Sequence, residues 1–232
     1  MTCIGLIGAR AFVDTHVSSD PATPTDRARA VEEFASLWDW RRRVADLYGR
    51  VRAISGQVGW DLWRAERDQL FADHPQSPLE GERRARFAGL SYFDYDPALC
   101  LTAALVAVAD AGRQSLNAGR DGAVALLPFA RTEGLERPLG SELTLYWIEG
   151  YGGGVFLPFA DETNGGETYA GGRYLLDTIK GADLGRSGEC VLLDFNFAYN
   201  PSCAYSDRWT CPLPPAANRL PQPVRAGERR PL

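Results

Sequence analysis

From residue 23 to 56 the apolar side chains Phe34, Leu37, Trp40, Val44, Leu47, Val51 and Ile54 recur three and four positions apart, the spacing of one helix face. Thr23, Pro24 and Asp26 occupy the N-cap, first-turn and N3 positions, and Gly56 is placed to end the helix. Asp39, Arg41, Arg42, Asp46 and Arg50 fill the other faces. Such a stripe needs a partner, either the body of this chain or a second copy in a homodimer. A second helix is predicted from Trp60 to Phe71, presenting Trp60, Trp63, Leu70 and Phe71 and stopping before His74 and Pro75. Ser77, Pro78, Leu79 and Glu80 read as a capping-box start for a further helical turn.

After Phe87 the period changes. Short segments rich in Val, Leu and aromatics run from Leu99 to Val108, Ala123 to Phe129, Leu143 to Ile148, Val155 to Phe159, Arg173 to Ile179 and Cys190 to Phe197, with Gly-rich breaks between them. The alanines of the first would suit a helix as well. The prolines from Pro201 to Pro231 forbid helix and central strand, so the last thirty residues must run irregularly over the body, pinned by Cys203, Tyr205 and Trp209. The expected fold is mainly β with α+β character: an antiparallel β-barrel or sandwich, preceded by two N-terminal helices and followed by a Pro-rich tail. Residues 1–57 form a lead and long helix, and residues 58–232 the β-rich domain. Residues 1–22 carry weak signals and read as a loose lead or an added strand.

Composition narrows the function. At 232 residues and 45% hydrophobic, the chain buries a full core without disulfides or metals. Net charge is -5 and Lys180 is the only lysine, so nucleic acid is not an expected partner. Met1 to His16 lacks a charged leader with a long apolar stretch, and no run approaches the ~20 apolar residues that span a bilayer. A cytoplasmic protein without membrane contact is expected, and its arginine-rich, lysine-poor composition suggests a high-GC bacterial genome and specialised metabolism. The five cysteines are odd in number and scattered, which predicts thiols. With His16 and His74 the only histidines, neither a histidine-rich metal site nor a catalytic triad is expected. The GYGGG run at Gly150 to Gly154 precedes a strand and lacks the P-loop lysine. No cofactor and no metal are predicted.

Three stretches are more specific: HPQSPLE and FAGLSYFDYDP within the region from Trp63, FLPFADETNGGETYAGGRYLLD from Phe156, and LDFNFAYNPSCAYSDRWTCPLPPAANRLPQPVRAGE from Leu193. They resemble the domain of unknown function 1684 family over about residues 60 to 230. The resemblance implies a domain rather than a mechanism, and the long helix before Trp60 looks like an addition to its core.

Alternation along a strand from Val191 to Phe197 puts Asp194 and Asn196 on one polar face. Arg173 and Asp177 share a face in the strand after Gly171 and Gly172. If those strands are neighbours, Arg173 reaches Asp194, a pair worth about 4 kcal/mol of raw attraction at an effective dielectric of 20. Such a pair is either an internal tie or the floor of a pocket, with Arg173 gripping an anionic group and Asp194 acting as base. The loop from Asp161 to Gly172 hangs Asp161, Glu162, Glu167 and Tyr169 among glycines, and reads equally as a ligand loop or as a solvated hairpin turn. Its carboxylates do not match an EF-hand. Cys203 follows Pro201 in a turn, where Arg208 could lower its pKa, or else it is packed, or, in an oxidising setting only, bonded to Cys211.

The expected function is therefore binding of a small-molecule ligand in the β body. Tyr146, Trp147, Tyr169, Arg173, Asp194 and Tyr199 would line the site, with Asn196 and Asn200 beside them. If catalytic, Asp194, Tyr169, Glu167 and Cys203 would act without a cofactor, in acid–base chemistry of cyclase, isomerase, lyase or hydrolase type. The alternative is a non-catalytic module that dimerises or binds a protein through the helix at 24–55.

Overall fold

A computed structural model describes residues 23–54, 56–109, 112–117 and 123–231. The lead or strand expected over residues 1–22 lies outside them. The chain divides into two units between Ala35 and Ser36. The first contains the start of helix α1 (Pro24–Ile54), closed by the expected capping box: Thr23 N donates to Asp26 Oδ2 at 3.1 Å and Asp26 N to Thr23 Oγ1 at 3.2 Å. Val31 and Phe34 of this unit are each 69% exposed.

In the second unit α1 buries only its later turns, through Leu47, Tyr48 and Val51, while Trp38 stays 73% exposed. The stripe from Phe34 to Ile54 is thus not one buried seam. Gly56, at φ 60, opens α2 (Gly56–Asp73). That helix buries Trp60, Trp63, Leu70 and Phe71 as their spacing predicts, and Trp60 Nε1 donates to Asn196 O at 2.9 Å. The short helix α3 (Gly81–Ala85) starts later than the capping-box reading places it. Ser77 instead spends its hydroxyl on Phe71 O at 2.6 Å and accepts from Leu79 N at 3.2 Å.

Among the described residues the sheet has eight antiparallel strands: β1 (Cys100–Ala107), β2 (Gln114–Asn117), β3 (Ala123–Glu133), β4 (Thr144–Ile148), β5 (Gly154–Phe159), β6 (Arg173–Asp177), β7 (Arg186–Ser187) and β8 (Cys190–Asp194). They run in the order β6-β5-β4-β3-β1-β8-β7, with β2 added to β3, and form a half-barrel. All six predicted strands are present, the alanine-rich one included. Leu135, Leu143, Leu157, Phe159, Leu193 and Phe195 form the centre of its main core. The link between β3 and β4 contains the one-turn helix α4 (Glu136–Leu139). Glu142 Oε1 accepts from the main-chain N–H groups of Gly134, Leu135 and Glu136 at 2.8–2.9 Å, and Oε2 from Thr132 Oγ1 at 2.6 Å.

The strand expected to continue to Phe197 stops at Asp194. Phe195–Phe197 form a 3-10 turn capped by the Asp194 carboxylate, which accepts from Asn196 N at 3.0 Å. The tail lies irregularly against the body, as its prolines require. Asn218 Nδ2 donates to Thr144 O at 2.9 Å and Pro158 O at 2.7 Å, and Leu220 N donates to Ala160 O at 2.8 Å. Gly227, at φ 74, lets the tail pass where a Cβ would collide with Ala198 O. Tyr205 and Glu228 of the tail are buried.

Candidate functional site

Arg173 and Asp194 are both buried, but they do not pair. They stand on β6 and β8, with β5, β4, β3 and β1 between them in the sheet. Arg173 Nη2 donates instead to Asp161 Oδ2 at 2.8 Å and to Val224 O at 2.8 Å, while Nη1 donates to Ala226 O and, at 3.3 Å, to Glu228 O. Asp161 Oδ1 is filled by Thr163 N at 2.8 Å, Thr163 Oγ1 at 2.6 Å and Val224 N at 3.2 Å. Arg173 therefore ties the tail and the 161–172 loop to β6, and its four Nη hydrogens are all spent.

The other expected site residues are scattered. Asp194 Oδ1 accepts from Asn196 Nδ2 at 2.7 Å, and Asn196 clamps Asp96 through N–H···Oδ1 and Nδ2–H···O bonds of 2.8 Å each. Burial raises the Asp194 pKa above the ordinary carboxylate value, against those amide bonds. Glu167 is engaged by Arg225 Nε at 3.0 Å on the surface. Tyr146 and Trp147 are successive residues of β4, so they face opposite sides: Tyr146 is fully buried and Trp147 is 40% exposed. One pocket cannot be lined by both. Tyr169 Oη donates to Cys203 Sγ at 3.6 Å, and burial leads the causes that push that phenol up to about 12. Arg208 does not activate Cys203, since its Nη1 pairs with Glu80 Oε1 at 2.8 Å. Among the described residues no three His, Cys, Asp or Glu side chains gather as metal ligands would.

Tyr199 and Asn200 do meet in a cavity of about 60 Å³, but with other partners. Tyr48 of α1, Arg67 of α2, Tyr174 of β6, and Lys180 and Ala182 after β6 complete much of its wall. Three buried polar atoms of this wall have no hydrogen-bond partner: Tyr48 Oη, Tyr199 Oη and Asn200 Oδ1. The charges beside them are balanced. Arg67 Nε donates to Glu228 Oε1, and Glu228 Oε2 accepts from Asn200 N at 2.6 Å and Tyr205 Oη at 2.9 Å. Lys180 Nζ stands 3.0 Å from Asp177 Oδ2. Tyr174 Oη is committed to Pro212 O at 2.7 Å. Burial is the main reason that the Tyr48 and Tyr199 pKa values rise above that of a free phenol. Both phenols stay protonated at neutral pH, so each has a hydrogen to donate.

Sequence reasoning missed Tyr48, Arg67 and Lys180. Arg67 left a readable trace: it lies four residues after Trp63 and three before Leu70, an arginine on the apolar face of α2. Its partner Glu228 is 161 residues away, and nothing local marks it.

A family model described as "Protein of unknown function (DUF1684)" matches residues 85–229. The chain belongs to that family. The match includes the whole sheet and Tyr174, Tyr199, Asn200 and Glu228, whereas Tyr48 and Arg67 precede it. No curated protein is detectably similar in sequence. Among solved structures, the solution NMR structure of an uncharacterized protein of Haloarcula marismortui is similar, at 38% identity and a TM-score of 0.50, over 72% of this chain and 89% of that one. Among the described residues no helix is long and apolar enough to cross a membrane.

Proposed function

We propose that this DUF1684 chain binds a small polar molecule in the cavity of Tyr48, Tyr199 and Asn200. The observation that carries this reading is the three unpartnered polar atoms around one space. A buried polar group without a partner costs about 1–3 kcal/mol, so a cluster of them calls for an occupant. The donors are two phenols and the free acceptor is an amide oxygen. The matching ligand presents a carbonyl or carboxyl oxygen to the phenols and an N–H or O–H to Asn200. At ~30 Å³ per water the cavity has room for roughly two water-sized groups, so it would take the head of a molecule and not a large ring. The neighbouring charges already neutralise each other, which favours a neutral head group over a doubly charged one.

Binding is preferred to catalysis here because the phenols hold their protons at neutral pH and Glu228 is fully engaged. A cofactor-free acid–base reaction rests instead on Asp194, whose raised pKa suits a proton carrier. Titration of the protein with acetamide, followed by protein NMR, tests the binding reading. Saturable shifts weakened about tenfold or more in Tyr48→Phe/Tyr199→Phe support it, with acetate binding less well because it lacks the N–H. Unsaturable shifts, or shifts indifferent to the double substitution, would leave the cavity to water.

A second reading has its own observation. Val31 and Phe34 are exposed three positions apart in the first unit, and Trp38 is exposed in the second, apolar surface on α1 that suits a second copy of the helix or another protein. Light scattering on the full chain and on Trp38→Glu tests it: a wild-type dimer that becomes a monomer supports dimerisation through α1, and a monomer in both removes it.

A further inference from the structure

Cys203 and Cys211 were expected as thiols, paired only in an oxidising setting, and the tail folds one against the other. Cys203 lies in the 3-10 turn Ser202–Ala204, and its main-chain N–H donates to Cys211 Sγ at 3.4 Å. Neither is bonded to another cysteine and both are partly exposed. Cys203 also borders an open cleft with Pro78, Glu80, Arg83 and Ser206, which gives a small reagent a route to Cys203, while Cys211 is reached through its own partial exposure. We propose that Cys203 and Cys211 are a peroxide-sensitive dithiol, in which Cys211 attacks hydrogen peroxide and Cys203 resolves the product to a disulfide.

The surroundings divide the two roles. The hydrogen bond from the Cys203 side chain leads the causes that draw the Cys211 thiol down to about 6, followed, against burial, by the Cys203 main-chain N–H and the Lys180 charge. The same contact, together with burial, pushes Cys203 in the opposite direction. Tyr169 and Tyr174 face the pair as neutral phenols, and the Lys180 charge is partly offset by Asp177. The main-chain N–H that Cys203 directs at Cys211 Sγ favours the thiolate at Cys211 and leaves Cys203 as the thiol.

The chemistry balances. Cys211 Sγ forms a bond to one peroxide oxygen, the O–O bond breaks, and hydroxide leaves, giving the sulfenic acid. Cys203 Sγ then forms the S–S bond, the S–OH bond breaks, and the Cys203 proton leaves with that hydroxide as water. One peroxide is reduced by two electrons and two thiols are oxidised. The step borders the cavity described above: Ser202, next to Cys203, is in its wall, and Pro212, next to Cys211, holds the Tyr174 hydroxyl. The proposal does not depend on that cavity binding a ligand.

The full reduced chain is treated with one equivalent of hydrogen peroxide at pH 7, with and without dimedone, then alkylated, digested and mapped by mass. The expected result is a Cys203–Cys211 cross-link with loss of two hydrogens, formed before oxidation of Cys100 or Cys190. In Cys203→Ser dimedone should capture Cys211, and in Cys211→Ser it should leave Cys203 unlabelled. Iodoacetamide supplies a readout that needs no variant: Cys211 alkylation should keep about half its plateau rate at pH 6, while Cys100, whose thiol burial pushes up to about 11, slows roughly tenfold per pH unit below that value. Oxidation of Cys100 first, a dimedone adduct on Cys203 in place of Cys211, or a Cys211 alkylation midpoint near the ordinary 9.0 overturns the proposal.

Discussion

Two buried polar clusters in the same unit are built from similar residues and behave differently. Around Arg173 the four Nη hydrogens meet Asp161, Val224, Ala226 and Glu228, and the Asp161 carboxylate has further donors of its own. Around Tyr199 two hydroxyls and an amide oxygen have no hydrogen-bond partner. A buried group stabilises the fold only when its partners are within the chain, and it invites a ligand when they are not. Burial and residue type therefore do not separate a structural polar group from a functional one. The separation lies in how many hydrogen bonds are left over.

The largest expected effect tests the Arg173 cluster, in which only Nε lacks a hydrogen-bond partner. Arg173→Met leaves Asp161 and three main-chain carbonyls buried without a cation, and should lower the urea unfolding free energy by about 3–5 kcal/mol. Asp161→Ala should cost a similar amount, while the double change Arg173→Met/Asp161→Leu should recover a large share, because no lone charge then remains buried. A loss below about 1 kcal/mol for the single variant would mean that the tail is held by other contacts.

Glu142→Ala comes next. That carboxylate closes the β3–β4 connection with four accepted hydrogen bonds, one of them from Thr132 Oγ1. Although burial opposes it, the Thr132 bond leads those that hold its pKa below the ordinary carboxylate value. The substitution should cost roughly 2–3 kcal/mol, read from the same denaturation curves.

His74 extends the comparison to pH. It is 5% exposed, with Nδ1 accepting from Gln76 N at 3.0 Å and Nε2 facing Asp39 Oδ2 at 3.3 Å, an arrangement that requires the neutral ring. Burial is the first cause that lowers its pKa from 6.5, with the Asp39 contact pulling the other way. A histidine whose folded pKa lies below its unfolded one binds its proton more readily when unfolded. Its contribution is therefore complete above pH 6.5 and declines as pH falls through that value. Stability of the wild type relative to His74→Gln, measured between pH 7.5 and 5.5, should narrow on acidification; an unchanged difference would place the charged ring in the fold.

Most elements were legible because local patterns determine them: the threefold and fourfold spacing of Trp60, Trp63, Leu70 and Phe71, the Thr23–Asp26 capping box, and the Val-rich, Leu-rich and aromatic runs of β1, β3, β4, β5, β6 and β8; the short polar strands β2 and β7 carry no such run. What could not be read was pairing between distant parts of the chain. Arg173 was read either as a tie to Asp194 or as the anion grip of a pocket; its actual partner Asp161 lies across a loop and its other acceptors are tail carbonyls, which carry no residue-type signal. The alternation that placed Asp194 and Asn196 on one strand face failed because the chain leaves the strand at Phe195, where an aspartate capping its own turn competes with the ladder. Tyr199 and Asn200, both among the expected site residues, line one cavity, whereas Tyr48 lay hidden beside a leucine stripe. A tyrosine on a helix next to apolar residues gives no hint that its hydroxyl will lack a partner.

The smallest effect is also the most discriminating, because its sign is set by the comparison. A buried hydroxyl without a partner contributes desolvation cost and no bond, so Tyr48→Phe and Tyr199→Phe should each change stability by less than about 0.5 kcal/mol or raise it slightly. Tyr205→Phe is the matched control: its hydroxyl donates to Glu228 at 2.9 Å, and losing that charge-assisted bond should cost about 1.5–3 kcal/mol. If Tyr199→Phe instead costs as much as Tyr205→Phe in the ligand-free protein, its hydroxyl is already satisfied by ordered water. The cavity would then belong with the Arg173 cluster, as structure rather than as a site.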